Sequence, residues 1–436
     1  MNVSPQRRQD ILNALRRGTV PQAGLDALAV GMDRFAGAVD EELAQVEKGA
    51  AVFKAVRGDY GCGKTFFVRW LQERALQRGF VTAEVQISET ETPLHRLETV
   101  YRRLIERLRS SECEQGALRS IVDAWFFSLE EDVLGTGPVN EEALLGRTSE
   151  LLEKRLAAVS RIAPAFALAL RGYRQAVAKK DSATADGLLA WVAGQPNISA
   201  EAKRTAGIKG DVDHFAALGF LQGLLTVLRD SGRPGLVLVL DEVETLQRVR
   251  GDVREKALNS LRQLIDEIDA GRFPGLYLLI TGTPAFFDST QGVQRLPPLA
   301  QRLHVDFSIE PRFDNPRAPQ VRLRGFDGAA LKEVGDKVRD LYATGSPNAD
   351  RIHRLAGTAT LERLAIALTG QLGGKVGVAP RLFLKKLVGD VLDRIDQHPD
   401  FDPAKDYALT LQPSEMTPTE QAAAGFASVD DVPIKV

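Results

Sequence analysis

The stretch RGDYGCGKTFFVRW, Arg57 to Trp70, contains the pattern G-x-x-x-x-G-K-T at Gly58, Gly63, Lys64 and Thr65. It sits between an apolar run, AVFKAV at Ala51 to Val56, and a helical pattern, TFFVRWLQERAL. That order, strand then glycine loop then helix, constrains the fold more than any other segment. Glycines let backbone N–H groups turn inward around an anion where a Cβ would obstruct them. The loop opens a helix whose N-terminus favours negative charge. Lys64 brings a compact positive charge to the outer phosphates, and the Thr65 hydroxyl suits Mg²⁺. With glycine at about 7% of residues, a chance match in such a chain is on the order of one in a hundred. The loop is therefore expected to bind a nucleotide through Gly58, Asp59, Tyr60, Gly61, Cys62, Gly63, Lys64, Thr65 and Phe66. Tyr60 reads as loop packing. Cys62 reads as a small filler rather than a redox sensor, with alkylation there expected to block the loop.

A second element is LVLVLDEVE, which puts Asp241 and Glu242 at the end of a continuous apolar run. Two carboxylates there suit a Mg²⁺ shell (Asp241) and a base that orients and deprotonates water (Glu242). Glu244 reads as surface. LLITGTP ends another apolar run in Thr281 and Thr283, either of which suits contact with a terminal phosphate or its attacking water; Thr283 is the one assigned. A strand between the loop strand and the Asp-Glu strand would bring this threonine between the two elements. Arg302, with Arg295 second, is expected to reach a neighbouring subunit's phosphate. Arg381, after Pro380 at a helix start, is expected to sense the nucleotide from a lid.

Alternating strands and helices predict an α/β fold, a parallel sheet flanked by helices. The predicted strands begin near Ala51, Phe80, Gly235, Gly275 and His304 (HVDFSI). The expected divisions are N-terminal helices at 1–50, an ATPase core at 51–109 and 210–312, a helical insertion at 110–209, a helical lid at 313–401, and a loosely ordered tail at 402–436. A net charge of -2 argues against a wholly basic nucleic-acid coat, although 56 Lys and Arg leave room for a local patch such as Arg317, Arg322 and Arg324. Two cysteines exclude a disulfide framework. The N-terminus has no apolar signal core, and no run is long enough to span a bilayer, so a cytoplasmic protein without membrane contact is expected.

The segments RRGTVPQAGLDALAVG, RGDYGCGKTFFVRWLQERAL, LVLVLDEVETL, LITGTPAFFD, PPLAQRL and APRLFLKKLV together resemble the BREX-system ATP-binding proteins of the BrxC/BrxD type. In length the chain is nearer the smaller, BrxD-type members. The resemblance implies an AAA+-like P-loop ATPase with a C-terminal helical lid, using ATP and Mg²⁺ in bacterial defence against phage. It implies that Val20, Pro21, Val30 and Gly31 line the adenine pocket. The expected partners are other copies of the chain, duplex or single-stranded DNA, and a helicase or other defence protein. One reading is an oligomeric DNA-linked ATPase. Another is a slow, nucleotide-gated adaptor that recruits an effector without binding DNA. A small-molecule kinase fits the paired acidic residues less well.

Overall fold

The computed structural model describes residues 3–135, 140–372 and 380–425. Parts of the expected insertion (136–139), lid (373–379) and tail (426–436) lie outside the described residues. The chain opens with α1 (Pro5–Arg16) and α2 (Asp33–Glu47), then β1 (Val52–Arg57), the glycine loop and α3 (Lys64–Gln77). After β2 (Val81–Gln86) and α4 (Leu97–Glu106) come the helices of the insertion. These are α5 (Leu118–Leu134), α6 (Glu141–Ile162), α7 (Pro164–Ala178), α8 (Ser182–Val192) and α9 (Ala200–Thr205). The chain then runs through α10 (His214–Asp230), β3 (Leu236–Asp241), α11 (Gly251–Asp269) and β4 (Leu276–Gly282). Short α12 (Pro284–Asp288) and α13 (Pro297–Leu303) precede β5 (Gln320–Arg322). The C-terminal lobe holds α14 (Gly328–Ala343), α15 (Ala349–Leu355), α16 (Thr358–Gln371), α17 (Pro380–Lys386), α18 (Asp393–Gln397) and α19 (Pro418–Ala423), with a π turn at Leu387–Leu392 joining α17 to α18.

Among the described residues the strands form one five-stranded parallel sheet in the order β2-β3-β4-β1-β5. β3 and β4 are buried along their whole length, which is why their sequences are unbroken apolar runs. Alternate residues serve opposite faces. Ala55, Leu238, Leu240, Leu278 and Ile280 join the core shared with α4, α10, α11 and the insertion helices. Val56, Val237, Val239, Tyr277 and Leu279 join the core under α2 and α3. A separate apolar core holds α1 against the C-terminal lobe, with Ile11, Leu12 and Leu15 packed among Leu331, Val338 and Phe383. Each such large apolar side chain contributes about 1.5–3 kcal/mol when fully buried. The first helix thus belongs with the lid, while α2 belongs with the sheet.

The fifth strand is not the expected HVDFSI. Residues 304–309 form no strand, and the Asp306 side chain accepts a hydrogen bond from the Ser308 N–H at 2.8 Å, a local turn that competes with a ladder. Phe307 is instead held beneath the guanidinium groups of Arg57 and Arg322. The edge position beside β1 goes to Gln320–Arg322, beyond the expected 312 limit of the core. Buried Lys54, paired with Glu42, fixes this approach by donating to the carbonyls of Pro316 and Ala318, both at 2.9 Å. The tail also departs from expectation. Met416 is buried in the lid core, and Lys386 pairs with Glu415 at 2.9 Å, so residues 402–425 are tied to the lobe.

Candidate functional site

A cavity of about 270 Å³ opens where the glycine loop, the ends of β1 and β3, the 18–32 segment and the lid meet. The loop leaves β1 at Gly58 and enters α3 at Lys64. A side chain on Gly58 would put its Cβ 2.3 Å from the Cys62 sulfur, so the loop closes only on glycine there. Gly61 and Gly63 have φ of 83° and 95°, the left-handed region that turns the chain into the helix. Lys64 is buried and donates to the loop's own carbonyls, to Gly58 at 2.7 Å and Asp59 at 3.3 Å. Its ammonium lies over the Tyr60 ring. The Cys62 thiol is buried, and that burial pushes its pKa up, which keeps it protonated and poorly nucleophilic.

Facing the loop are Asp241, Glu242 and Glu244. The sheet order puts β4 between β1 and β3, so Thr281 lies beside the end of β3. Its hydroxyl donates to the Asp241 carboxylate and accepts from the Glu242 N–H at 3.1 Å. Thr281 is thus the threonine that meets the acidic pair. Thr283 starts α12, where its carbonyl accepts from the Phe286 N–H at 3.0 Å; neither threonine lines the cavity itself. Glu242 takes a left-handed backbone with φ 58°, a conformation costly for a glutamate and typical of functional turns. Its carboxylate accepts from the Gln86 amide at 2.8 Å, a partner on β2 that no sequence pattern pointed to.

Glu244 is a correction to the sequence reading. It is 5% exposed rather than on the surface, and neither carboxylate oxygen has a hydrogen-bond partner. Burial pushes the carboxyls of both Asp241 and Glu244 above the usual carboxylate range; the Thr281 hydroxyl opposes this at Asp241 and Lys64 opposes it at Glu244. The pocket is therefore short of positive charge, which is what a divalent cation supplies. Among the described residues no three His, Cys, Asp or Glu side chains gather as a self-sufficient metal cluster. Mg²⁺ commonly takes only one or two protein ligands and completes its shell with water and phosphate oxygens. Thr65 and Asp241, both lining the cavity, fit that pattern.

The opposite end of the cavity is apolar. Val20, Pro21 and Val30 line it, joined by Leu28, Met32, Phe326, Val334 and Leu384. Gly31 is exposed and lies outside it. The additional apolar residues come from three separate chain segments, so only the packing of α1 and the lid against the loop reveals them. Arg381 reaches the cavity from the second position of α17. Its guanidinium pairs with Glu420 of α19 and donates to the Glu415 carbonyl at 2.6 Å. Arg302 does not reach its own chain's cavity. It lies on α13, donates to the Pro298 carbonyl at 3.0 Å and pairs with Asp266 of α11 at 2.6 Å. Arg295 pairs with Glu255 at 3.5 Å. Of the basic patch, Arg317 pairs with Glu41 and Arg322 with Asp314, each at 2.7 Å. No described helix is long and apolar enough to cross a membrane.

A family model described as "BREX system ATP-binding protein BrxC/D" matches residues 3–411. A search of curated proteins finds no match. The match spans nearly the whole chain, from α1 through the lid, and the chain belongs to that family.

Proposed function

We propose that this member of the BREX ATP-binding family is a Mg²⁺-dependent, AAA+-like P-loop ATPase that acts in anti-phage defence as an oligomer linked to DNA. One observation carries the reading: a single cavity is shared by the loop residues Asp59–Phe66, the acidic end of β3, which Thr281 braces from behind, and the lid's Arg381. The adenine end is the apolar wall of Val20, Pro21 and Val30. The phosphate end is the loop, where Lys64 exchanges its own carbonyl acceptors for phosphate oxygens. A Mg²⁺ held by Thr65 and Asp241 would neutralise phosphate charge. Glu242, released from Gln86, takes the proton of the attacking water, and Thr281 keeps its backbone aligned. Arg381 brings positive charge from the lid after leaving Glu420. Arg302 acts on the cavity of a second copy.

The adaptor reading has its own support. Arg317 and Arg322 are engaged in ion pairs, and Glu242 is engaged by Gln86, as suits a chain that hydrolyses slowly and recruits a partner through protein contacts. ATP turnover measured across protein concentration, with and without duplex and single-stranded DNA, separates the two. Turnover rising with both supports the DNA-linked oligomer. Slow turnover indifferent to both sinks it in favour of the adaptor. Absence of ATP binding removes both.

A further inference from the structure

We propose that a second cavity, on the flank of α3, binds a small phosphate-bearing ligand. It encloses about 530 Å³, and its wall includes Arg69 and Gln72 of α3, Glu84 of β2, Arg103 of α4, and Arg107 and Arg109 just beyond α4. Arg69 and Gln72 are three residues apart, so both project from one helix face. Arg103 is paired with Glu106 and Glu91. Arg69, Arg107 and Arg109 enter no ion pair among the described residues. Their recorded side-chain acceptors are neutral: Arg69 donates to the Val20 carbonyl, and Arg109 to the Gln22 amide oxygen at 3.2 Å.

Two buried donors of the wall also lack acceptors. Gln72 is only 2% exposed, and its amide nitrogen has no partner; the Nε of Arg69 is likewise buried and unpartnered. Orphaned buried donors are costly, and a native structure usually answers them with an acceptor. Several guanidinium groups around one space suit a tetrahedral, multiply charged anion, which they bind through paired N–H donors. A nucleotide-sized group fits the volume. Three carboxylates, Glu84, Glu91 and Glu114, also line the wall, and two of them are less obstructive to an anion than their charge suggests. Glu91 is already answered by Arg103. Burial pushes the Glu84 carboxyl up, with Asp241 adding to the effect. Gln86 lines this cavity too, and its amide holds Glu242, so an occupant here would touch the hydrogen-bond partner of a loop-cavity residue.

The inference stands apart from the proposed ATPase activity, and its test avoids the loop. Inorganic pyrophosphate is titrated by calorimetry into the full chain carrying Lys64→Ala. One equivalent is expected to bind. Adding Arg107→Ala with Arg109→Ala, or the isosteric Gln72→Glu, is expected to weaken it at least tenfold. Circular dichroism of each variant, and its ATP affinity with Lys64 restored, show that the fold is retained. No binding to Lys64→Ala protein, or binding that ignores both variants, overturns the site. Displacement of pyrophosphate by ADP supports a nucleotide as the source, whereas displacement only by a single-stranded oligonucleotide overturns the small-ligand assignment. Pyrophosphate binding to the Lys64→Ala chain, together with no ATP binding when Lys64 is restored, would remove the ATPase reading and leave this one standing.

Discussion

Helix α3 serves two cavities that differ in what they lack. At its N-terminus, the loop cavity has an excess of buried carboxylate, with Asp241 and Glu244 both pushed toward protonation. Along its flank, the arginine cavity has an excess of unanswered donors in Gln72 and Arg69. The first asks for a cation and the second for an anion, though Lys64 and Gln72 are only two turns apart on the same helix. The lesson is that charge deficit, rather than cavity size or apolar lining, distinguishes the kinds of ligand two neighbouring sites await.

The largest expected effect falls on the loop cavity alone. Glu242→Gln should lower ATP turnover by about 10²–10⁴-fold, the range for loss of a general base, while ATP still binds. Single-turnover kinetics check this, and unchanged turnover would pass the role to Glu244. Next, Lys64→Ala should weaken ATP by about a hundredfold, as for loss of charge-assisted bonds, without disturbing pyrophosphate at the arginine cavity. Equal loss at both would erase the distinction between them.

A smaller effect is thermodynamic. Asp241 and Glu244 have raised carboxyl pKa values, so the folded chain holds protons that the unfolded chain releases. Their contribution to stability therefore grows as pH falls from neutrality toward the ordinary carboxylate range and shrinks as pH rises through their folded values. Thermal melts of ligand-free protein between pH 5 and 7.5 should show this slope flattened by Glu244→Gln, roughly by a few degrees. An identical slope in the variant would mean that Glu244 is not under the strain its burial implies. The smallest effect is chemical: iodoacetamide should label half-buried Cys113 before buried Cys62, and ATP should slow Cys62 further. Faster labelling of Cys62 would show that the loop opens readily.

The loop cavity was legible where its signals are local. Glycine spacing, the apolar run before Asp241 and the helix after Lys64 each lie within a dozen residues, and the fold keeps them together. Residues whose role depends on distant packing were not legible. Glu244 looks solvent-facing in sequence because nothing local says that Val243 and Leu246 will be driven into the core beside it. Thr281 and Thr283 are two residues apart on an extended chain, and only the pairing of β4 with β3 shows which one meets Asp241. Gly31 shares a segment with Val30 but turns outward. HVDFSI has the composition of a strand, yet a side-chain turn at Asp306 and the Lys54 contacts to residues 316 and 318 give the edge to another segment. Gln86, Glu420 and the arginine cavity required three dimensions throughout.

The strand order has a consequence for how the chain is made. β1 and β2 leave the ribosome first, yet they are not neighbours; β1 pairs with β4 and β5, and β2 with β3. Gln86 and Glu242, in contact in the finished protein, are 156 residues apart. At about 5–20 residues per second, the early strands wait on the order of ten seconds for their first partner. The helices of the insertion emerge during that interval and have mostly local contacts, so they are suited to fold first. The glycine loop, near the beginning of the chain, would then be among the last parts to acquire its surroundings, and the nascent protein would expose unpaired strand edges until its second half arrived.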